Sequence, residues 1–226
     1  MKDLIFNPGF KMFSRLLLVV GCVVPAFFFA AMYFCVGGYS WCGEFISGSG
    51  LVAINGKPNT LSAILLSCGL VLSGVLCAGY FIMRASCGKG SRWLRIPVGV
   101  CGVAGGIGLI GIGIFPFDVH PDIHNFCTLC WIPFSLAMLA SSFTPSDRFG
   151  SRREKLIWLV YLLYGLAISG TLNWLVDRPP YPLPHRPTGP LVQKIMVVGF
   201  YIYMLGQVIR ANCTPGDPRV DRSTKK

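Results

Sequence analysis

The stretch GIGIFPFDVHPDIHNFCTLCW, from Gly111 to Trp131, gathers two of the chain's three histidines, two acids and a Cys-x-x-Cys between apolar runs. Three chemistries can be built from it. Cys127 and Cys130 have the spacing of a thiol–disulfide pair, and a helix N-terminus opening there would stabilise a thiolate. Cys35 and Cys42, near the first loop, offer a second pair or a structural bridge. The second chemistry is a metal site. Asp118, His120, Asp122 and His124 alternate, and His120 and His124 have the i, i+4 separation that puts two ligands on one helical face. With Glu44 or Asp177 completing the set, metal-dependent hydrolysis of a lipid would follow. Pro121 between the histidines argues for a loop, with Asp122 as N-cap of the next helix. The third chemistry needs one proton carrier, His124, with Asp118 as its orienting partner.

Apolar helices must position all of these groups. Apolar residues make up 53% of the chain and charged residues 13%. Six continuous stretches, 16–36, 61–83, 94–115, 126–143, 156–176 and 191–209, are long enough to cross ~30 Å of hydrocarbon at about 20 residues each. A closed barrel would show short alternating segments instead. The expected fold is therefore all-α: a polytopic bundle of six transmembrane helices over 16–210. A cytoplasmic N-terminus (1–15) and a short, basic, disordered cytoplasmic tail (211–226) flank it. The first apolar run outlasts the 7–15 residues of a cleaved signal core and reads as a retained helix.

Orientation follows from the basic residues. Sixteen of the 20 Lys and Arg fall at the N-terminus, in the second and fourth loops and in the tail, which places both ends in the cytoplasm of a multi-pass integral membrane protein. The net charge of +11 is then a topology signal. Its scatter over four segments argues against a nucleic-acid partner, and membrane lipids are the expected partner. Nothing in the chain implies a cofactor.

The third span carries glycine at every third position (Gly99, Gly102, Gly105, Gly108, Gly111), with Gly106 and Gly113 added. Such a helix is expected to present a nearly bare face. Ser73, Gly74, Ala78 and Gly79 suggest a similar groove on the second span. Tight helix packing is the expected use, and a lipid groove the alternative. Mid-span Cys22, Cys68, Cys77 and Cys101 act as small apolar residues, so a Cys-x-x-Cys arises more easily by chance here. Tyr39 and Trp41 suit the membrane–water interface. The loop DRPPYPLPHRPTGP, with six prolines in fourteen residues and His185, can be neither helix nor central strand.

Two resemblances bear on function. A cysteine pair near the first outer loop and a Cys-x-x-Cys opening the fourth helix resemble the layout of vitamin K epoxide reductase, which implies electron transfer from thiols to a quinone. The second resemblance covers roughly residues 14–210. SWCGEFISGSG (Ser40–Gly50), SAILLSCGLVLSG (Ser62–Gly74), then Gly113, Phe115, Pro116 and Asp118 followed by His124, and Gln193-Lys194-Ile195 resemble, in order, the motifs of a six-helix membrane family, domain of unknown function nine-nine-eight. That family is similar in turn to the damage-regulated autophagy modulators and the Frag- and Sfk-type proteins. The resemblance implies a six-helix fold and a lipid-leaning context, and no particular reaction. Glu44 and Gly48 depart from the Asn and Asp of the pattern.

The expected site is an outer-face cluster of Glu44, Ser47, Asp118, His124 and Gln193, with Trp41 and Asp177 nearby. A lipid-interacting or scaffold role is preferred over an enzyme. Thiol–disulfide exchange at Cys127 and Cys130, or metal-dependent hydrolysis at Asp118, His120 and His124, stands as the alternative.

Overall fold

Three long helices account for most of the chain that can be described: α1 (Pro8–Tyr33), α2 (Thr60–Cys87) and α3 (Arg92–Ile114). The structure, a computed structural model, describes residues 8–41, 43–87, 92–142 and, between 190 and 205, positions 190–191, 193–195, 197–199, 201–202 and 205, which are helical. Expectations for Cys42, the 156–176 span, Asp177, His185 and the 211–226 tail lie outside the described residues. The described chain is mostly helical. Within its three long helices, Arg15–Tyr33, Thr60–Ser86 and Arg95–Ile114 are long and apolar enough to cross a membrane.

The expected single helix over 126–143 is instead two. α4 (Pro121–Thr128) and α5 (Trp131–Ser142) meet at a tight turn, where Leu129 N donates to Phe126 O (3.1 Å) and Cys130 N to Cys127 O (3.1 Å). Pro133 is the physical reason. Its ring clashes with the carbonyl four residues back, that of Leu129, and it has no N–H to donate there. The helix start also differs from expectation. Pro121 sits at the first helical position, where its missing N–H costs nothing, so His120 is the N-cap and Asp122 lies in the first turn.

The glycines of α3 do not make one bare face. A three-residue period falls ~60° short of a full turn at each step of a 3.6-residue helix, so the row winds around the axis. A Cβ at Gly99 would come within 2.8 Å of the Ala85 Cβ, and one at Gly102 would overlap the Phe81 ring. Farther along, Gly105 faces Phe134, Gly108 faces Cys130 and Gly111 faces the sulfur of Cys127. Gly106 meets Gly74 and Ala78 of α2. One winding row thus admits α2 on one side and α4 and α5 on the other, and tight packing is what the glycines serve.

Two apolar clusters fill the bundle. Leu17, Leu76, Tyr80, Phe81, Val98 and Phe134 form the larger one. Ala31, Met32, Leu66, Leu70, Ile112 and Cys130 form the second, closed from above by Ile46. The loop that supplies Ile46 is itself folded. A 3-10 turn (Ile46–Gly50) leads into a hairpin of β1 (Ala53–Ile54) and β2 (Lys57–Pro58), registered Ala53 to Pro58 and Ile54 to Lys57. Asn55 (φ 50°) and Gly56 (φ 75°) make its two-residue turn, the Asn-Gly pairing that such positive φ values favour. This small sheet is an addition to the all-α expectation.

Asn59 locks the loop to the bundle. It is 2% exposed and uses its whole amide: Nδ2 donates to the carbonyls of Ser49 (3.1 Å) and Leu51 (2.8 Å), and Oδ1 accepts from Val36 N (3.0 Å). Beside it, the buried Ser62 hydroxyl lies 2.6 Å from Ala31 O and 2.7 Å from Ser49 O.

Candidate functional site

The folded loop, the α3–α4 connection and the helical residues at 190–205 converge at one end of the bundle. Asp118 draws in the first two. Its Oδ2 accepts from Val52 N at 2.7 Å and Ala53 N at 3.1 Å. Gln193 draws in the third, its Oε1 accepting from Ile46 N at 2.8 Å. One residue on, Lys194 is 7% exposed and donates through Nζ to the carbonyl of Glu44 and, at 3.4 Å, to that of Pro190. Its ammonium lies 5.1 Å from the centroid of the Tyr39 ring. The Tyr39 hydroxyl in turn donates to Glu44 O at 3.1 Å. Burial, then the Glu44 charge, then Cys35, push the Tyr39 phenol well above its ordinary value of 10.0, so it stays a donor.

His124 sits beneath this junction, 5% exposed. Its Nδ1 lies 2.8 Å from the carbonyl oxygen of Phe115. A carbonyl only accepts, so Nδ1 carries the proton, and in the neutral ring Nε2 is left as an acceptor. The Phe117 ring meets the imidazole edge-on, with centroids 5.7 Å apart. The orienting group of His124 is therefore a main-chain carbonyl. The expected pairing of Asp118 with His124 is not made, because the Asp118 carboxylate is committed to the Val52 and Ala53 amides.

Between these segments lies a cavity of about 70 Å³. Phe28, Ile46, Leu70, Leu109, Ile112 and Val197 form its apolar walls, and Ser47, Ser73, His124, Thr128, Gln193 and Tyr201 supply its polar groups. The hydroxyls of Ser73 and Thr128 give their protons to their own helices, to Gly69 O (2.7 Å) and Asn125 O (2.6 Å). Gln193 spends its oxygen on Ile46 and keeps its two amide protons. The Tyr201 hydroxyl is buried and has no hydrogen-bond partner among the described residues. Its mostly apolar walls and few converging polar groups are those of a small-molecule site, but its volume is well below the roughly 300–1,000 Å³ of such sites, so it admits only part of a larger molecule.

The expected cluster is thus brought together in part. Ser47, His124 and Gln193 line the cavity. Glu44 stands next to it through Lys194 and Tyr39, its carboxylate accepting from Ser40 N at 3.3 Å. Asp118 serves the loop. Trp41 is 51% exposed and packs on Phe29 and Tyr39 at 5.9 Å, away from the lining. Sequence reading missed Tyr201, Lys194 as a buried anchor, and Asn59. For Asn59 a signal existed: an Asn directly before a long apolar run is a helix-start mark.

The other two chemistries find different surroundings. Cys127 is next to last in α4 and Cys130 directly precedes α5, so of the two only Cys130 lies at a helix N-terminus. Cys127 instead lies at a helix C-terminus, the negative end of the dipole. Cys35, Cys127 and Cys130 are free thiols, and Cys35 and Cys130 are buried. His120 is exposed, with its ring edge-on to Phe115 at 5.7 Å. Among the described residues no group of three His, Cys, Asp or Glu could hold a metal ion.

Comparison of the chain with protein-family models, with curated proteins and with solved structures returns no match in any of the three.

Proposed function

We propose that the chain is a six-helix integral membrane protein, both termini cytoplasmic, that binds a membrane lipid at its outer end, part of the molecule entering the small cavity there. The observation that carries this reading is the cavity itself: apolar walls with Ser47, His124 and Gln193 converging on one end. Its outer surface supports it. Trp93 is 90% exposed, Phe126 74% and Ile202 65%, side chains that suit a hydrocarbon solvent better than water. Arg84, Arg92 and Arg95 lie at the ends of α2 and α3 remote from the folded loop. By the positive-inside rule that end faces the cytoplasm and the cavity faces out.

The same reading sets the chain beside the six-helix family of domain of unknown function nine-nine-eight. The motif residues that carry the resemblance have joint work here. Phe115 orients His124, Asp118 holds the hairpin, and Gln193 and Lys194 clamp the loop. Motifs far apart in sequence that meet at one place support a shared architecture.

The test has two arms. An epitope inserted in the Asn55–Gly56 turn should be reached by antibody on intact cells, and one after Lys226 only after permeabilisation. Native mass spectrometry of the purified protein should show a retained lipid, lost when Val197→Trp fills the cavity. An inaccessible turn epitope, or a lipid retained equally by the filled variant, would overturn the proposal.

A further inference from the structure

A space that admits only part of a lipid still selects which part. We infer that the end that enters the cavity is an alcohol, whose O–H donates to Nε2 of His124 and whose oxygen accepts from the side-chain amide of Gln193. The inference rests on the lipid-binding reading of this cavity and adds to it the group that goes in.

Size sets the first limit. At about 70 Å³ the cavity has room for about two water molecules, at ~30 Å³ each in the liquid, or for one hydroxymethyl group in their place. The acyl chains and the bulk of any head group stay outside it.

Hydrogen bonding sets the second. Nδ1 of His124 donates to Phe115 O, so in the neutral ring Nε2 is an acceptor, and nothing among the described residues donates to it. Gln193 gives its oxygen to Ile46 N, and nothing among the described residues accepts its two amide protons. Neither nitrogen is among the unpartnered side-chain atoms closed off from contact, so both present surface, and both residues line the cavity. Ser73 and Thr128 have already turned their hydroxyl protons to Gly69 O and Asn125 O, so neither serves Nε2. The cavity thus calls for one proton and offers another. Water meets both demands, and a group that displaces ordered water loses affinity unless it makes the same hydrogen bonds. A methyl group makes neither. An ester or ether oxygen accepts without donating, and an ammonium donates without accepting. Among the small terminal groups of membrane lipids, a hydroxyl does both.

Such a hydroxyl ends a glyceryl head and also stands on a sterol ring. Two matched pairs of probes separate these sources, titrated into the full-length protein in phosphatidylcholine nanodiscs. Dioleoylphosphatidylglycerol and dioleoylphosphatidylethanol share their chains and phosphodiester charge and differ in the hydroxyls. Cholesterol and its methyl ether share the ring system. In at least one pair the hydroxyl-bearing lipid should bind about tenfold or more tighter, and the pair that shows it names the source. His124→Asn keeps a donor where Nδ1 stands and removes Nε2, so it should bring that ratio close to one. A general loosening of the fold would weaken both members alike and leave the ratio unchanged. Equal binding within both pairs, or a ratio that survives His124→Asn, would overturn the inference and leave lipid binding standing. Binding of no probe also overturns it, and if mass spectrometry then finds no retained lipid, the lipid-binding reading falls with it.

Discussion

The polar side chains at the loop end divide by whether their hydrogen-bonding groups are spent on backbone or left over. Asp118 belongs to the first kind through Oδ2, which serves two amides. An amide oxygen can stand in the same place. Asp118→Asn should therefore cost less than roughly 1 kcal/mol of stability, and Asp118→Ala roughly 1 kcal/mol, by denaturant melts in detergent. Neither should change lipid retention, whereas an acid that oriented His124 would make both changes costly to function. Tyr39 gives a pH signature. Its phenol is held neutral in the folded protein above its ordinary value of 10.0, chiefly by burial and then by Glu44. Between the unfolded and folded values only the unfolded chain loses this proton, so stability falls as pH climbs through about 10. Tyr39→Phe should flatten that part of the stability–pH curve.

Between helices, the decisive variable is the volume left out at α3. In an open helix, Gly→Ala gains about 0.5–1 kcal/mol from reduced backbone freedom. At Gly111 the sign should reverse, because the new methyl would meet the sulfur of Cys127, and overpacking costs about 1–3 kcal/mol. Adding Cys127→Ala removes the blocking atom and should recover most of the loss, a coupling visible in a double-mutant cycle of melting midpoints. That outcome would give Cys127 a packing role in place of an electron-carrying one. The same helices mark how far the sequence could be read. Long uninterrupted apolar runs announced α1, α2 and α3. The break between α4 and α5 was hidden because Leu129, Cys130, Trp131 and Ile132 continue the apolar pattern, and Pro133 alone interrupts it. The grouping of Ser47, His124 and Gln193 was legible from the order of motifs that resembles the six-helix family. The true partner of Asp118 was not. Its targets are main-chain amides 65 and 66 residues away, and an amide carries no residue type to read.

Over the whole molecule the two ends are built differently. At the end bearing Arg84, Arg92 and Arg95, side chains fasten residues close in sequence, as where Arg95 Nη1 of α3 donates to Ala85 O of α2 at 3.1 Å. At the other end, residues far apart in sequence hold the loop. Val36 N is bound by Asn59, 23 residues on, and Ile46 N by Gln193, 147 residues on, while Asn59 N donates to Val52 O at 2.7 Å. A loop fastened in this way has no local route to opening. Its amides should trade protons for deuterons as slowly as those of the helical core, since releasing them requires parting the helices that carry the clamps. In a deuterium-exchange experiment, peptides covering Val36, Ile46 and Asn59 should stay protected together. Asn59→Asp, which can no longer donate to Ser49 and Leu51, should release that protection across the loop while α3 keeps its own. A stretch that is rich in glycine and serine would then keep time with the most rigid part of the protein.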